Sequence, residues 1–408
     1  MDIRKLKMVQ RKRMRQVRSH KMAKRSASLA TLLLSSWGGG YPAAVHSLSP
    51  SSRGQRYIPR VGEIIGGRHS SFAAGSSSST TALPCQLLGM NAAHPTSFSF
   101  SFRGFARRGG ITDVHSDGWG LAFYEGRGLR TFHDSASASE SVVARMVEEY
   151  PVKTVNMLAH IRYATAGEVC LENVHPFQRE MWGIIWCFAH NGDVPLFKSK
   201  LKTAHAWIGD VPGERIYSPV GDTDSEAIFC ALLNALKAKF ETLPSLPVLH
   251  DYINKLCKEI VSEYPDETIL NFLLGCGRYV QFAYSWPGAR PGSTVWNGLY
   301  YIVREPPFTE AHLSDMDYAV DFSEMNTDED RVAIIATKPL TLNEEWVEIE
   351  KGELILFDQG IPHKVPEECF KIEFLGHGLD SDVMLAPKLE EDMRRYQFER
   401  SYYEGIGI

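Results

Sequence analysis

None of the seven cysteines (Cys85, Cys170, Cys187, Cys230, Cys257, Cys276 and Cys369) lies at CxxC spacing from another. That absence argues against a disulfide framework and against a cysteine-rich zinc site. An odd number of unpaired thiols fits a reducing compartment, with one thiol available to react. No internal repeat stands out, and no apolar run near the start approaches the about 20 residues needed to span a bilayer. Acids are almost missing from the first 84 positions, where Asp2 and Glu63 face fifteen Lys/Arg, a balance of +13. Since the whole chain carries −5, the remainder carries −18. An acidic body of that kind repels phosphate backbones, which excludes nucleic acid as its partner. His160, His175 and His190 recur every fifteen residues but lack the short spacing of a recognisable metal site. They read as strand-end or core histidines, and no metal or cofactor is expected.

What is present divides into three parts. Residues 1–25 are a basic run, 29–37 a short apolar patch (LATLLLSSW), and a Gly/Ser/Arg-rich stretch follows. This order is signal-like, and the acid-poor Ser/Arg stretch resembles an organelle transit peptide. Residues 1–84 are therefore expected to be a removable targeting segment, with organelle favoured over cytoplasm and no membrane association once it is gone. A disordered tail, or a start codon placed too far upstream, is the alternative. Residues 85–360 read as one domain, and 361–408 as an extension too short for a further catalytic domain.

Hydrophobic residues at 44% and charged ones at 23% suit a soluble core-forming domain. Aromatic and aliphatic runs predict strands over 121–124, 154–161, 182–189, 270–276, 280–284, 298–303, 332–336 and 353–357. Helical spacing of Val142, Val143, Met146 and Val147 predicts a helix over 139–150, with two more over 225–240 and 248–264. Strand blocks on either side of a helical block indicate an α+β layered domain.

Five stretches carry the chemistry: Cys85-Gln86-Leu87-Leu88-Gly89, Ser116-Asp117-Gly118-Trp119-Gly120, His160-Ile161-Arg162-Tyr163-Ala164-Thr165-Ala166-Gly167-Glu168, His190-Asn191-Gly192 and Gly221-Asp222-Thr223-Asp224-Ser225-Glu226. In that order they resemble the class II glutamine amidotransferases, which belong to the N-terminal-nucleophile hydrolases. The resemblance is closest to stand-alone members, some of which act on γ-glutamyl compounds. It implies a four-layer αββα sandwich.

The resemblance also implies roles. Cys85 matches the nucleophile that is the first residue of the mature chain, its own α-amino group serving as base. An α-amine titrates at about 7.7–8.0, near neutral pH, which suits proton transfer. Without that role Cys85 is a small buried hydrophobe ahead of an apolar strand. Asn191 and Gly192 match the oxyanion site, although Asn-Gly could equally be a tight turn after a strand. Arg162 matches the guanidinium that grips the substrate α-carboxylate by two parallel hydrogen bonds. Otherwise it is a surface cation. Tyr163 and Thr165 join it on the substrate. Asp224 matches the acid for the substrate α-ammonium, though Thr223 and Glu226 at capping-box spacing would favour an acid there anyway.

Two departures stand out. Many members have histidine where Ala166 stands, and Cys85 follows Pro84, so a free amine requires removal of residues 1–84. The expected substrate is glutamine or a γ-glutamyl compound, hydrolysed through a Cys85 thioester, with an ammonia-accepting protein as a further partner. The alternative is an inactive glutamine-binding or regulatory module that keeps its N-terminal segment.

Overall fold

A computed structural model of the protein describes residues 85–369 apart from 165–166, 201–207, 291–292 and 325–326. The basic segment, Thr165, Ala166 and residues 370–408 thus lie outside the described residues. Two fully antiparallel sheets dominate. The larger has the order β13 (Val347–Glu348), β9 (Tyr300–Arg304), β12 (Val332–Ala336), β1 (Gln86–Thr96), β4 (Thr154–Ile161), β2 (Trp119–Glu125), β3 (Gly128–Asp134). The smaller has the order β15 (Ile361–His363), β14 (Glu353–Asp358), β8 (Val280–Trp286), β7 (Ile269–Cys276), β6 (Ile184–Asp193), β5 (Phe177–Met181). A two-stranded ribbon pairs β10 (Glu310–His312) with β11 (Ala319–Asp321). Helices α1 (Ser99–Arg107), α2 (Val142–Glu149), α3 (Pro195–Lys200), α4 (Asp224–Lys239) and α5 (Leu246–Ser262) fall between strands.

Strand alternation sorts the apolar side chains into separate cores, because successive residues point to opposite faces. From the larger sheet, Leu88, Leu121, Phe123, Met157 and Ala159 pack with Phe102 and Phe105 of α1 and Val147 of α2. From the smaller sheet, Trp186, Phe188, Phe272 and Phe282 pack with Phe229 and Leu232 of α4 and Leu249 and Ile253 of α5. Phe188 and Phe229 stack at 5.2 Å with their planes 2° apart. Residues one step along the same strands, Leu87, Ala122 and Leu158 from one sheet and Cys187, Ala189, Leu273 and Ala283 from the other, form a third core between the sheets.

That inner face is built from smaller residues, so the sheets come close. A Cβ on Gly89 would press on Leu273 of the opposite sheet, 3.0 Å away. Polar side chains bridge the sheets as well. Asn156 donates to the carbonyls of Gly277 and Val280, and Gln281 donates to that of Met157. Buried amides of this kind are retained only where they find partners.

The predicted elements recur with modest shifts, and β4 matches its predicted range end to end. The predicted strand 182–189 starts later, at Ile184. Trp182 (φ 60°) and Gly183 (φ 76°) are instead a two-residue hairpin turn, with Met181 paired to Ile184. Positive φ at both central residues gives a turn whose twist matches its strands, which overrides the β preference of Trp182. β1 was expected only as an apolar strand after Cys85, without bounds, and α1 was not expected. The strand holds Gly89, Asn91 and His94, poor strand formers whose places are decided by pairing on both sides with β4 and β12.

Candidate active site

Cys85 stands immediately before β1 on the inner face, in step with Leu87 and Gly89. Asn191 shares the inner face of β6 with Cys187 and Ala189. The two meet across the sheets, where the Asn191 side-chain amide donates to the Cys85 carbonyl at 2.6 Å. Candidate nucleophile and candidate oxyanion donor therefore come from different sheets. The Asn-Gly pair is not a turn. It runs inside β6, with Asn191 opposite Asn271 and Gly192 opposite Leu270. Glycine is required at 192, because a Cβ there would overlap the Ile269 carbonyl oxygen.

The Cys85 thiol is enclosed by backbone. The Tyr163 N–H donates to Sγ at 3.3 Å, and the S–H faces the Tyr163 carbonyl at 3.4 Å. Burial pushes the thiol upward, while Arg290, the Tyr163 N–H and Arg162 pull it back in part. The net shift is upward, so at neutral pH this thiol stays protonated unless a base takes its proton.

Arg162 is buried, at 4% exposure, and not a surface cation. Its guanidinium donates to the carbonyls of Glu168 (2.9 Å) and Gly167 (3.4 Å). The Ser116-Asp117-Gly118 stretch braces it from the other side. Arg162 N–H donates to the Gly118 carbonyl at 2.8 Å, and Asp117 accepts from the Ala164 N–H at 2.7 Å. Gly118 has φ +108°, a conformation open to glycine. Tyr163 contributes its backbone to the thiol, and its ring meets His115 edge-on at 5.8 Å. Thr165 and Ala166 lie outside the described residues.

Asp224 opens α4, with Thr223 as its N-cap accepting from the Glu226 N–H at 3.4 Å. The capping box is half made. The Glu226 carboxylate turns away to the N–H groups of Val220 and Gly221 and to Arg179 at 2.6 Å. Asp224, 6% exposed, accepts from the Val194 N–H at 3.0 Å, two residues beyond Gly192. Asn173, buried between the loops, donates to Asp222 at 2.6 Å and to the Glu168 carbonyl at 3.1 Å. It ties the Arg162 loop to the Asp224 loop.

Two residues that the motifs did not include complete the site. Asn297 makes a reciprocal pair with Asn191, the amides exchanging bonds of 2.7 and 3.0 Å. Asn271 donates to the carbonyls of both and is itself held by Ser285. Both Nδ2 hydrogens of Asn191 are thus engaged. One goes to the Cys85 carbonyl and the other belongs to the reciprocal pair. Arg290, 8% exposed, donates from Nη2 to the Gly192 carbonyl at 3.3 Å. Gly288 and Asn297 bridge one another, so both side chains come from one loop between β8 and β9.

His160 and His175 are buried with ring centres 4.1 Å apart, and His190 faces α4 through Ser225 Oγ at 2.8 Å. Burial holds all three below the usual histidine range. Among the described residues no group of three or more His, Cys, Asp or Glu is placed to hold a metal ion.

The sequence profile of the family "Glutamine amidotransferases class-II" matches residues 84–373. The chain belongs to that family. Among its relatives is a candidate glutamine amidotransferase of Escherichia coli (strain K12), YafJ, 43% identical over 277 residues. The match covers 68% of this chain and 98% of YafJ. A candidate glutamine amidotransferase of Haemophilus influenzae (strain Rd) is 41% identical, with 68% and 85% covered. The crystal structure of a predicted glutamine amidotransferase from Pseudomonas aeruginosa PA01 is 35% identical, covers 68% of this chain and 99% of its own, and superposes with a TM-score of 0.49.

Proposed function

We propose that this amidotransferase domain hydrolyses the γ-amide of glutamine or of a γ-glutamyl compound, with Cys85 as nucleophile. The observation that carries the reading is the junction at Cys85, with the Asn191 amide 2.6 Å from its carbonyl and Tyr163 N–H on its sulfur. The helix, sheet, sheet, helix order of the cores supports an αββα N-terminal-nucleophile fold, in which a freed Cys85 carries its own base.

In this mechanism the Cys85 α-amine takes the thiol proton, and the thiolate attacks the γ-carbonyl carbon. Asn191 Nδ2 and the Gly192 N–H stabilise the oxyanion. The C–N bond breaks, the α-ammonium returns its proton to the departing nitrogen, and a γ-glutamyl thioester remains. The amine then deprotonates the attacking water, the C–S bond breaks, the sulfur recovers a proton, and glutamate leaves. Arg162 binds the substrate α-carboxylate and Asp224 its α-ammonium, with Thr165 adding a hydroxyl. Glutamine yields ammonia, which either goes free or passes to a partner protein.

Intact-mass measurement of protein from its native source tests the first requirement, with Cys85 expected as residue one after loss of a targeting segment. A glutamine-analogue electrophile should then label Cys85 and block glutamate release. Retention of the bond to Pro84, with no labelling, would refute the hydrolase and leave a glutamine-binding or regulatory module.

A further inference from the structure

Arg290 is buried beside the reacting groups, yet its charge is unmatched. Nη2 bonds the Gly192 carbonyl, whereas Nε and Nη1 have no hydrogen-bond partner. Among the described residues no carboxylate pairs with it, in contrast to buried Arg108 and Arg304, which pair with Asp315 and Glu344. A buried guanidinium with two open donors is costly unless something arrives to meet it. Gly192 fixes where that partner must sit, because its N–H is the proposed oxyanion donor and its carbonyl is the Arg290 contact. Of the two guanidinium groups that lower the Cys85 thiol against its burial, Arg290 has the larger effect. Its contact with the carbonyl of the proposed oxyanion residue places it at the scissile-bond end of the site.

We propose that Arg290 binds a carboxylate carried by the leaving amine, so that the preferred substrate is a γ-glutamyl amino acid and not glutamine. This rests on the hydrolase reading above and narrows its substrate class. In a γ-glutamyl amino acid, one nitrogen and one carbon separate the reacting carbonyl from a second carboxylate. Arg162 takes the carboxylate of the glutamyl half, Asp224 its ammonium, and Arg290 the carboxylate across the scissile bond. Glutamine has no second carboxylate and leaves the Arg290 fork unmet. A guanidinium suits this task because one of its open nitrogens and the second Nη2 hydrogen form an edge of two parallel donors, which fits a carboxylate in one orientation.

The test compares γ-glutamylglycine with γ-glutamyl methylamide, which differ by that carboxylate. Wild-type protein beginning at Cys85 should favour γ-glutamylglycine in kcat/KM by about 10- to 100-fold, the range of hydrogen bonds to charged groups. In Arg290→Met the ratio should collapse toward unity, and in Arg290→Lys it should fall part-way. Equal loss on both substrates would overturn the proposal and place Arg290 on the thiol or the oxyanion. Equal rates in the wild type would overturn it without any variant, which covers a variant that does not fold. Binding separates this from failure of the hydrolase. In Cys85→Ala, γ-glutamylglycine should bind about tenfold or more tightly than glutamine, and Arg290→Met in that background should abolish the preference. That result upholds the carboxylate site even if no substrate is turned over, whereas equal binding of the two ligands overturns it.

Discussion

Replacing Asn297 with leucine separates the two jobs of the asparagine network. Asn191, Asn271 and Asn297 are almost wholly buried, and Asn297 meets Asn191 through one accepted and one donated bond. Leucine has a similar volume and offers neither, so Asn191 loses one donor contact and one acceptor contact. A buried polar group left unmet costs about 1–3 kcal/mol, so Asn297→Leu should destabilise the fold by about 2–6 kcal/mol. In the proposed hydrolysis, with Asn191 as oxyanion donor, the catalytic effect has a different origin. The reciprocal pair sets which way the Asn191 amide faces, and a misaimed amide presents its oxygen where Nδ2 should be. Loss of one oxyanion donor lowers kcat about 10²- to 10³-fold. KM should change little, since Asn297 lies behind Asn191. Asn297→Asp keeps an acceptor for Nδ2 and should fall between. Denaturant unfolding and initial rates on glutamine, with protein beginning at Cys85, read the two effects. A folded Asn297→Leu protein with kcat within about threefold of wild type would refute the orienting role, as would a rise in KM alone.

Arg108, 1% exposed, bonds Asp315 at 2.8 Å and the carbonyls of Lys338 and Pro339, and it reaches Gln86 at 3.4 Å. Arg108→Ala strands a buried carboxylate and should cost about 3–5 kcal/mol in denaturant unfolding. A cost under about 1 kcal/mol, the scale of a surface pair, would show that the clamp is not load-carrying. Histidines 160, 175 and 190 have folded pKa values depressed by burial. Their contribution to stability is complete above the unfolded value of about 6.5 and is lost as the pH falls, because the unfolded chain then binds protons that the folded one refuses. Each adds up to about 1.4 kcal/mol per pH unit, about 4 together. Unfolding midpoints that stay flat between pH 7 and 5 would contradict this.

How far the sequence reached depends on the range of the forces concerned. β4, α4 and α5 were legible because an apolar run or stripe of the right length is a local signal, and it survives whichever partner covers it. β1 was legible only at its apolar start, because Gly89 and Asn91 serve the opposite sheet and not their own strand. Gly89 allows the close approach to Leu273, and Asn91 donates to the Tyr279 carbonyl at 2.7 Å. Read along the chain, such residues look like punctuation.

The site divides in the same way. The proposed site residues Cys85, Arg162, Asn191, Gly192 and Asp224 sit in short ordered stretches, so a comparison of order singled them out. Asn297 and Arg290 lie in a loop whose local text, Pro287-Gly288-Ala289-Arg290-Pro291-Gly292, reads as a turn. Asn297 acts on a residue 106 positions away and Arg290 on one 98 positions away. Neither contact has any period or spacing to reveal it. Loops positioned by a rigid scaffold often carry specificity in this manner. Here the inter-sheet core holds Cys85 against Asn191, while the β8–β9 loop brings the Arg290 charge to the Gly192 carbonyl. In the proposed reaction the glutamyl half of the substrate is addressed by motif residues, and the leaving half by residues that only the folded chain brings into place.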